Sequence, residues 1–141
     1  MFNIIRSILF LLPAERAHYF TMNSLNIIAK MPIINLLFFP SQKKQQSTTT
    51  VCSINFPNKI GLAAGFDKDA RFLNTLSKMG FGHVEVGTVT PKPQDGNPQP
   101  RLFRLPKDKA LINRMGFNNK GVDAMVENLK TRPQDLIIGG N

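Results

Sequence analysis

Tryptophan is missing from these 141 residues, cysteine and tyrosine occur once each as Cys52 and Tyr19, and carboxylates number 9 against 18 lysines and arginines. Each scarcity excludes something. A single cysteine rules out an intrachain disulfide framework and fits a reducing compartment, with Cys52 expected as a half-buried strand residue. Acidic residues are too sparse near His18 and His83 for a His, Cys and carboxylate cluster, so no metal site is expected. Long apolar runs are lacking too: Ile4 to Leu12 and Met31 to Phe39 fall well short of the roughly 20 residues that cross a bilayer as a helix. Pro13, Glu15, Arg16 and His18 follow the first of them, which argues against an export signal.

What is present is a formal charge of +9 and 42% hydrophobic residues, enough to close one core. The charge is uneven. Residues 1 to 50 hold Arg6, Arg16, Lys30, Lys43 and Lys44 against Glu15 alone. This balance favours an anionic membrane surface or an acidic partner; without a compact basic run or zinc-finger spacing, nucleic acid is not expected.

Two amphipathic helices open the chain. In Asn3 to Leu12, Ile5, Ile8, Leu9 and Leu12 share a face. After Pro13, Ala14 to Lys30 places Ala17, Phe20, Leu25 and Ile28 in an apolar stripe. Such short helices need a surface to cover, whether their own protein, a partner or a membrane. Met31 to Phe39 offers a third apolar surface. Ser41 to Thr50 is polar and predicts a linker. The expected modules are a helical extension over 1–40, a linker over 41–50 and an α/β domain over 51–141.

Beyond the linker, Val51 to Ile54 and Lys59 to Ala64 predict strands around an Asn55 to Asn58 turn, a hairpin pattern by composition. Asp69 to Met79 carries Phe72, Leu73, Leu76 and Met79 at helical spacing, with Gly80 as the stop. His83 to Gly87 predicts a strand with Val84 and Val86 opposite Glu85. Strand, helix, strand predicts a parallel unit. Thr88 to Pro100 is a proline-rich loop, Arg101 to Leu105 a short strand, and Asn113 to Asn118 a polar junction. A helix over Gly121 to Lys130 uses Val122, Met125, Val126 and Leu129 as its apolar side; Leu136 to Ile138 begins a last strand ending at Gly139, Gly140 and Asn141.

Three strand ends therefore carry polar or glycine-rich segments, which suits a doubly wound, flavodoxin-like sheet or an α/β barrel. After the first, Ala63, Ala64 and Gly65 let backbone approach a ligand closely, and Lys68 supplies a flexible cation. Neither a dinucleotide fingerprint nor a P-loop is present. Thr88 offers a hydroxyl after the second strand. Asn113 offers an amide that matches a planar imide or a carboxylate, with Gly116 permitting close approach and Phe117 a wall.

The runs from Pro13 to His18, Gly61 to Ala70 (GLAAGFDKDA), Glu85 to Leu105 (EVGTVTPKPQDGNPQPRLFRL) and Leu111 to Asp123 (LINRMGFNNKGVD) together resemble the quinone-dependent, membrane-associated class of dihydroorotate dehydrogenases over nearly the whole chain. The resemblance implies the first part of an FMN-binding TIM-type (β/α)8 barrel preceded by an α-helical, quinone-associated extension. It implies oxidation of dihydroorotate to orotate through FMN, with electrons passed to a membrane quinone, in pyrimidine biosynthesis at a peripheral site on the bacterial cytoplasmic face. By resemblance, Ala64, Gly65, Phe66, Asp67, Lys68, Thr88 and Asn141 contact FMN. Lys68, Asn113, Arg114, Met115, Gly116 and Phe117 line the substrate site. His18 and Arg104 flank the quinone tunnel, and Ile5, Leu9, Phe20 and Leu25 form its apolar or membrane-facing surface. Phe66 and Ala70 stand where leucine and glycine are commoner.

The family's serine general base belongs to a later barrel loop, so no catalytic residue is assigned within these residues. A complete barrel takes about 250 residues. The chain is expected to be a truncated member, inactive alone unless a separate carboxy-terminal chain supplies the rest. A noncatalytic membrane-surface or partner-binding remnant is the alternative.

Overall fold

The computed structural model describes residues 2–32, 34, 39 and 48–141. Two helices lead, α1 (Phe2–Leu9) and α2 (Ala14–Lys30). Pro13, with φ −51°, stands immediately before α2 and its carbonyl accepts the Ala17 N–H. Glu15 in the first turn and Lys30 in the last complement the helix dipole. The buried stripe of α2 runs through Ala17, Met22 and Ala29, with Leu25 packed on the core. This corrects the expected stripe: Phe20 projects well away from Met22 around the helix and is 58% exposed. The Met31 to Phe39 segment lies largely outside the described residues, as does most of the expected linker, whose last residues Thr49 and Thr50 pair in a strand.

That strand, β1 (Thr49–Val51), forms an antiparallel hairpin with β2 (Ile54–Phe56). The turn is Cys52 and Ser53, at φ 48° and 65°, the left-handed pair that two-residue hairpin turns require. The hairpin expected around Asn55 to Asn58 is therefore displaced, and Cys52 is exposed at a turn rather than half-buried in a strand.

The sheet that matters for function begins with β3 (Gly61–Leu62). It is followed by α3 (Leu73–Lys78) and β4 (His83–Val86), then, after an excursion, by α4 (Val122–Leu129) and β7 (Ile137–Gly140). The order is β3-β4-β7, every pair parallel, with Gly61 opposite His83 and His83 opposite Ile137. Two β-α-β units in succession make the α/β layer expected for the opening of a barrel; among the described residues the sheet has three strands and does not close. The excursion is the proline-rich loop and an antiparallel hairpin, β5 (Leu102–Leu105) with β6 (Ala110–Asn113), of which β6 went unforeseen.

One core joins these parts. Leu76, Val84 and Val86 are essentially inaccessible, and Met22, Phe72, Leu73, Met125 and Leu136 close around them. The Val84 and Val86 alternation against half-buried Glu85 is as expected. Side chains tie α2 to α3: Thr75 Oγ1 donates to Asn26 Oδ1 at 3.1 Å and Lys78 Nζ donates to the Ala29 carbonyl. The α3 helix is shorter than the periodicity predicted, because Asp67 Oδ1 and Oδ2 accept the N–H groups of Arg71 and Phe72 and hold the preceding residues in turns. On α4 only Met125 is buried; Val122 and Val126 are exposed, so just part of the predicted apolar side meets this core.

Candidate functional site

The loops after β3, β4 and β7 are knit together by backbone hydrogen bonds. Gly65 N–H donates to the Gly87 carbonyl at 2.8 Å, Asn141 N–H to Val86 at 3.0 Å, and Val89 N–H to Asn141 at 2.9 Å. Gly87 is required here: at φ 114°, any Cβ would meet the Asn141 carbonyl oxygen at 2.3 Å. Gly65 also has positive φ, 97°, yet a Cβ there would meet nothing within 4 Å, so its bare backbone faces open space.

That space is a pocket of about 300 Å³ lined by Ala64, Gly65, Lys68, Thr88, Asn113, Gly116, Phe117 and Asn141. Residues from both parallel units and from the hairpin converge on it. Thr88 Oγ1 donates to Asn141 Oδ1, and Asn141 Nδ2 donates to Glu85 Oε1 at 3.2 Å. Lys68 Nζ donates to Asn118 Oδ1 at 2.6 Å and to the Gly116 carbonyl at 3.0 Å, across some fifty residues of sequence. Burial lowers the Lys68 pKa and the Arg101 charge adds to that, while Glu15 and Asp69 oppose it. Asn113 Oδ1 accepts the Met115 N–H at 2.9 Å, which fixes the bend leaving β6.

A second pocket, about 340 Å³, lies between α2, the 65–69 turn and the hairpin; His18, Tyr19, Phe66, Leu102, Leu111 and Met115 face it. Gly65, Lys68 and Asn113 line both pockets and form the partition between them. His18 packs edge-on to Phe66 and Tyr19, with ring centroids at 4.8 and 5.1 Å. Burial lowers its pKa, against the opposing pull of Asp67, the Phe66 backbone and Glu15.

Asp67 borders the second pocket, but it is 3% exposed, burial raises its pKa, and its carboxylate is committed to the 71–72 backbone. Two other expected site residues stand elsewhere. Arg114 lays its guanidinium over Phe103 and donates to the Pro100 carbonyl, lining neither pocket. Arg104 does not join His18. Its Nη1 donates to the Leu12 carbonyl at 2.6 Å and its guanidinium lies 4.4 Å from the Phe10 ring centroid, on a separate groove beside α1. Ile5 and Phe20 are exposed, Leu9 and Leu25 half-buried.

Three groups take roles that sequence reasoning did not assign them. Asn118 holds Lys68. Asn119, 5% exposed, accepts from Gly121 N–H at 2.9 Å and donates to the Phe117 carbonyl at 2.6 Å, bracing the pocket wall. Glu15 pairs with Arg101 through two bonds of 2.6 and 3.0 Å, attaching α2 to the start of β5. The paired asparagines were visible as a motif, but the partner of neither was local. Among the described residues no three His, Cys, Asp or Glu side chains gather to hold a metal, and no helix is long and apolar enough to cross a membrane.

A cation and several amide groups over small-residue backbone stand at the carboxyl ends of parallel strands in an α/β layer, the place where α/β barrels carry their ligand sites. The dihydroorotate dehydrogenase family matches residues 46–138. A dihydroorotate dehydrogenase (quinone) of Shewanella piezotolerans is 51% identical over 99% of this chain and 40% of its own length. One from Neisseria meningitidis is 45% identical over the whole chain and 41% of its own length. Among solved structures, the Eimeria tenella enzyme in complex with ferulenol superposes with a TM-score of 0.71 at 39% identity, covering 90% of this chain and 35% of that one. The ligand-free Eimeria tenella structure gives 0.70. The chain belongs to the dihydroorotate dehydrogenase family and spans about 40% of the length of the quinone-class curated relatives it matches.

Proposed function

We propose that the 300 Å³ strand-end pocket is the FMN and dihydroorotate site of a quinone-dependent dihydroorotate dehydrogenase acting in pyrimidine biosynthesis. The observation that carries this is the convergence of Lys68, Thr88, Asn113 and Asn141 on one pocket from four separate segments. The residues fit the cofactor: the Gly65 backbone opens onto free space, so a flat ring can lie against Ala64 and Gly65 without displacing a side chain. When bound, FMN supplies the redox chemistry, taking a hydride from dihydroorotate and returning electrons to a quinone.

The chain's own part is placement and electrostatics. Lys68 presents a cation to an anionic group, Thr88 and Asn141 offer hydroxyl and amide groups to the cofactor, and Asn113 offers an amide to the substrate's imide or carboxylate. Phe117, 60% exposed, is an apolar wall for whatever fills the pocket. The partition of Gly65, Lys68 and Asn113 separates this site from the His18 pocket, which we assign to the quinone, reached along α1 and α2 from a peripheral position on the cytoplasmic face of a bacterial membrane. Helices over 1–40 and the α/β part over 51–141 then act as acceptor and chemical modules joined by 41–50. No residue here is assigned as the base, so residues 1–141 by themselves are not expected to turn over.

The test is a flavin titration of the purified chain against Lys68→Gln. Loss of a charge-assisted hydrogen bond of about 1.5–3 kcal/mol weakens FMN at least about tenfold. Equal affinity would refute the pocket assignment, and robust dihydroorotate-dependent quinone reduction by these residues alone would refute the inactivity. Exposed Ile4, Ile8, Phe20 and Ile27 favour one second reading, a noncatalytic membrane-surface or partner-binding remnant. That form would bind anionic vesicles and retain no FMN.

A further inference from the structure

We propose that Glu85, which lines neither pocket, is a positioning and specificity-determining residue: its carboxylate sets the direction of a hydrogen-bond chain through Asn141 to Thr88, so that this side of the flavin pocket presents acceptors and selects a ring bearing an imide N–H. The flavin part of this rests on the assignment of the 300 Å³ pocket to FMN. Glu85 stands on β4 with its side chain on the face opposite buried Val84 and Val86. Its register partner on β7 is Gly139, and Asn141 follows two residues on, on the same side of the strand. Glu85 Cγ is 3.6 Å from where a Gly139 Cβ would stand, so the stem lies over β7 and Oε1 accepts from Asn141 Nδ2 at 3.2 Å. Among the described residues Glu85 makes no ion pair. The Asn141 backbone is pinned by Val86 and Val89, which leaves only its side chain to turn.

The direction follows from what each group can donate or accept. A carboxylate only accepts, so the Asn141 amide turns its NH2 group to Glu85 and its Oδ1 the other way. There Oδ1 accepts from the Thr88 hydroxyl. A hydroxyl has one proton, and Thr88 spends it on Oδ1. What Thr88 offers the pocket is lone pairs, beside the second lone pair of Asn141 Oδ1. Turning the amide round would set Oδ1 against a carboxylate oxygen with no proton between them, and bonds to a charged partner are the stronger kind, so one order prevails. Lys68, on another segment of the same pocket, carries only donors. The pocket is thereby polarised, with donors at Lys68 and acceptors at Thr88 and Asn141. A flavin ring edge carries an imide N–H between two carbonyls and can meet those acceptors; a ring alkylated at that nitrogen cannot.

Two measurements on the full chain separate this selection from the pocket assignment. The first needs no ligand. The side-chain amide signal of Asn141 is followed by heteronuclear NMR in wild type, in Glu85→Gln and, as the same charge change at an exposed site, in Glu127→Gln. Glutamine keeps the length of the side chain but offers a donor as well as an acceptor, so it no longer dictates the order. The signal is expected to shift in Glu85→Gln and to stay in place in Glu127→Gln. An unmoved signal in Glu85→Gln would overturn the hydrogen-bond chain whether or not flavin binds. The second measurement titrates FMN, and FMN methylated at the imide nitrogen, into wild type and Glu85→Gln. The bulk of the methyl group is the same against both proteins, so comparing the two affinity ratios isolates the hydrogen bond from crowding and from the lost charge. Wild type is expected to discriminate against the methylated flavin about tenfold more strongly than Glu85→Gln does. Equal ratios would overturn the selection while leaving the pocket assignment intact. A shifted amide in a chain that binds neither flavin would refute the pocket assignment and the flavin preference together, with only the order of the bonds surviving.

Discussion

Replacing Glu15 with alanine severs the bond between the helical extension and the α/β layer, and its cost can be worked from the structure. The Glu15 and Arg101 side chains are only 13% and 9% exposed, and the two bonds between them, at 2.6 and 3.0 Å, are parallel and bidentate. Breaking a buried pair costs about 3–5 kcal/mol, chiefly because the surviving charge stays buried without its partner. Here Arg101 keeps two acceptors on Nη1, the Asp95 carbonyl at 2.6 Å and the Asn97 carbonyl at 3.0 Å. Water can also enter through the neighbouring open cleft, which brings the cost below that range, to about 2–3 kcal/mol. For a domain of this size that is a fall in Tm of about 10 °C. Arg101→Ala costs more, since it strips both carbonyls of their donor as well. The assay is a double-mutant cycle in urea with Glu15→Ala, Arg101→Ala and the pair; a coupling of about 2 kcal/mol is expected. A coupling below about 0.5 kcal/mol, the value for exposed ion pairs, would refute the view that this bond holds α2 in place.

Two further outcomes follow from local geometry. Gly82→Ala forces a Cβ to within 2.3 Å of the Asn58 carbonyl oxygen, a backbone atom that cannot swing aside, whereas at Gly139 the nearest atom is Glu85 Cγ at 3.6 Å. Urea midpoints should place the first change about 1–3 kcal/mol below wild type and the second within about 0.5 kcal/mol of it; equal effects would refute the steric account. His18 has a folded pKa below its ordinary 6.5, mainly through burial. The unfolded chain then binds more protons than the folded one just below pH 6.5, so this contribution to stability is present above that pH and is lost as pH falls through the folded value. Chemical denaturation at pH 7.5 and 5.5 should show a smaller pH-dependent loss in His18→Gln than in wild type, and an identical loss would contradict it.

How far the sequence disclosed the fold depended on whether the deciding interaction was local. The start of α2 was legible because Pro13 punctuates it, and β4 because Val84, Glu85 and Val86 alternate. The first hairpin was misplaced because Asn55, Pro57 and Asn58 have stronger turn chemistry than Cys52 and Ser53, which nonetheless adopt the left-handed pair. The start of α3 was set too early, at Asp69, three residues ahead of its first periodic apolar residue Phe72, while Asp67, a residue expected at the cofactor, uses its carboxylate to hold that stretch in turns. At the site, the residue types after each strand announced a ligand. Their grouping into two pockets with a shared wall did not show, because it depends on Lys68 meeting Asn118 and on Glu15 meeting Arg101, contacts spanning 50 and 86 residues.

The manner in which Lys68 is held bears directly on what it can bind. Both of its hydrogen-bond acceptors are neutral, a backbone carbonyl and an amide oxygen, so the bonds orient the ammonium without cancelling its charge. A carboxylate in the place of Asn118 would form an ion pair and leave little field for a ligand. Asp67, one residue away and the obvious rival, is turned inward with both oxygens occupied by backbone N–H groups. Asp69 Oδ1 is likewise drawn off, accepting the Lys120 N–H at 2.7 Å. The two acids that flank Lys68 in sequence are thus spent on the backbone, and its positive charge is left facing a pocket whose other polar groups are amides and a hydroxyl. Under the proposed assignment this arrangement favours an anionic ligand, and Asn118→Asp is expected to weaken flavin binding in the same titration; unchanged affinity would contradict it.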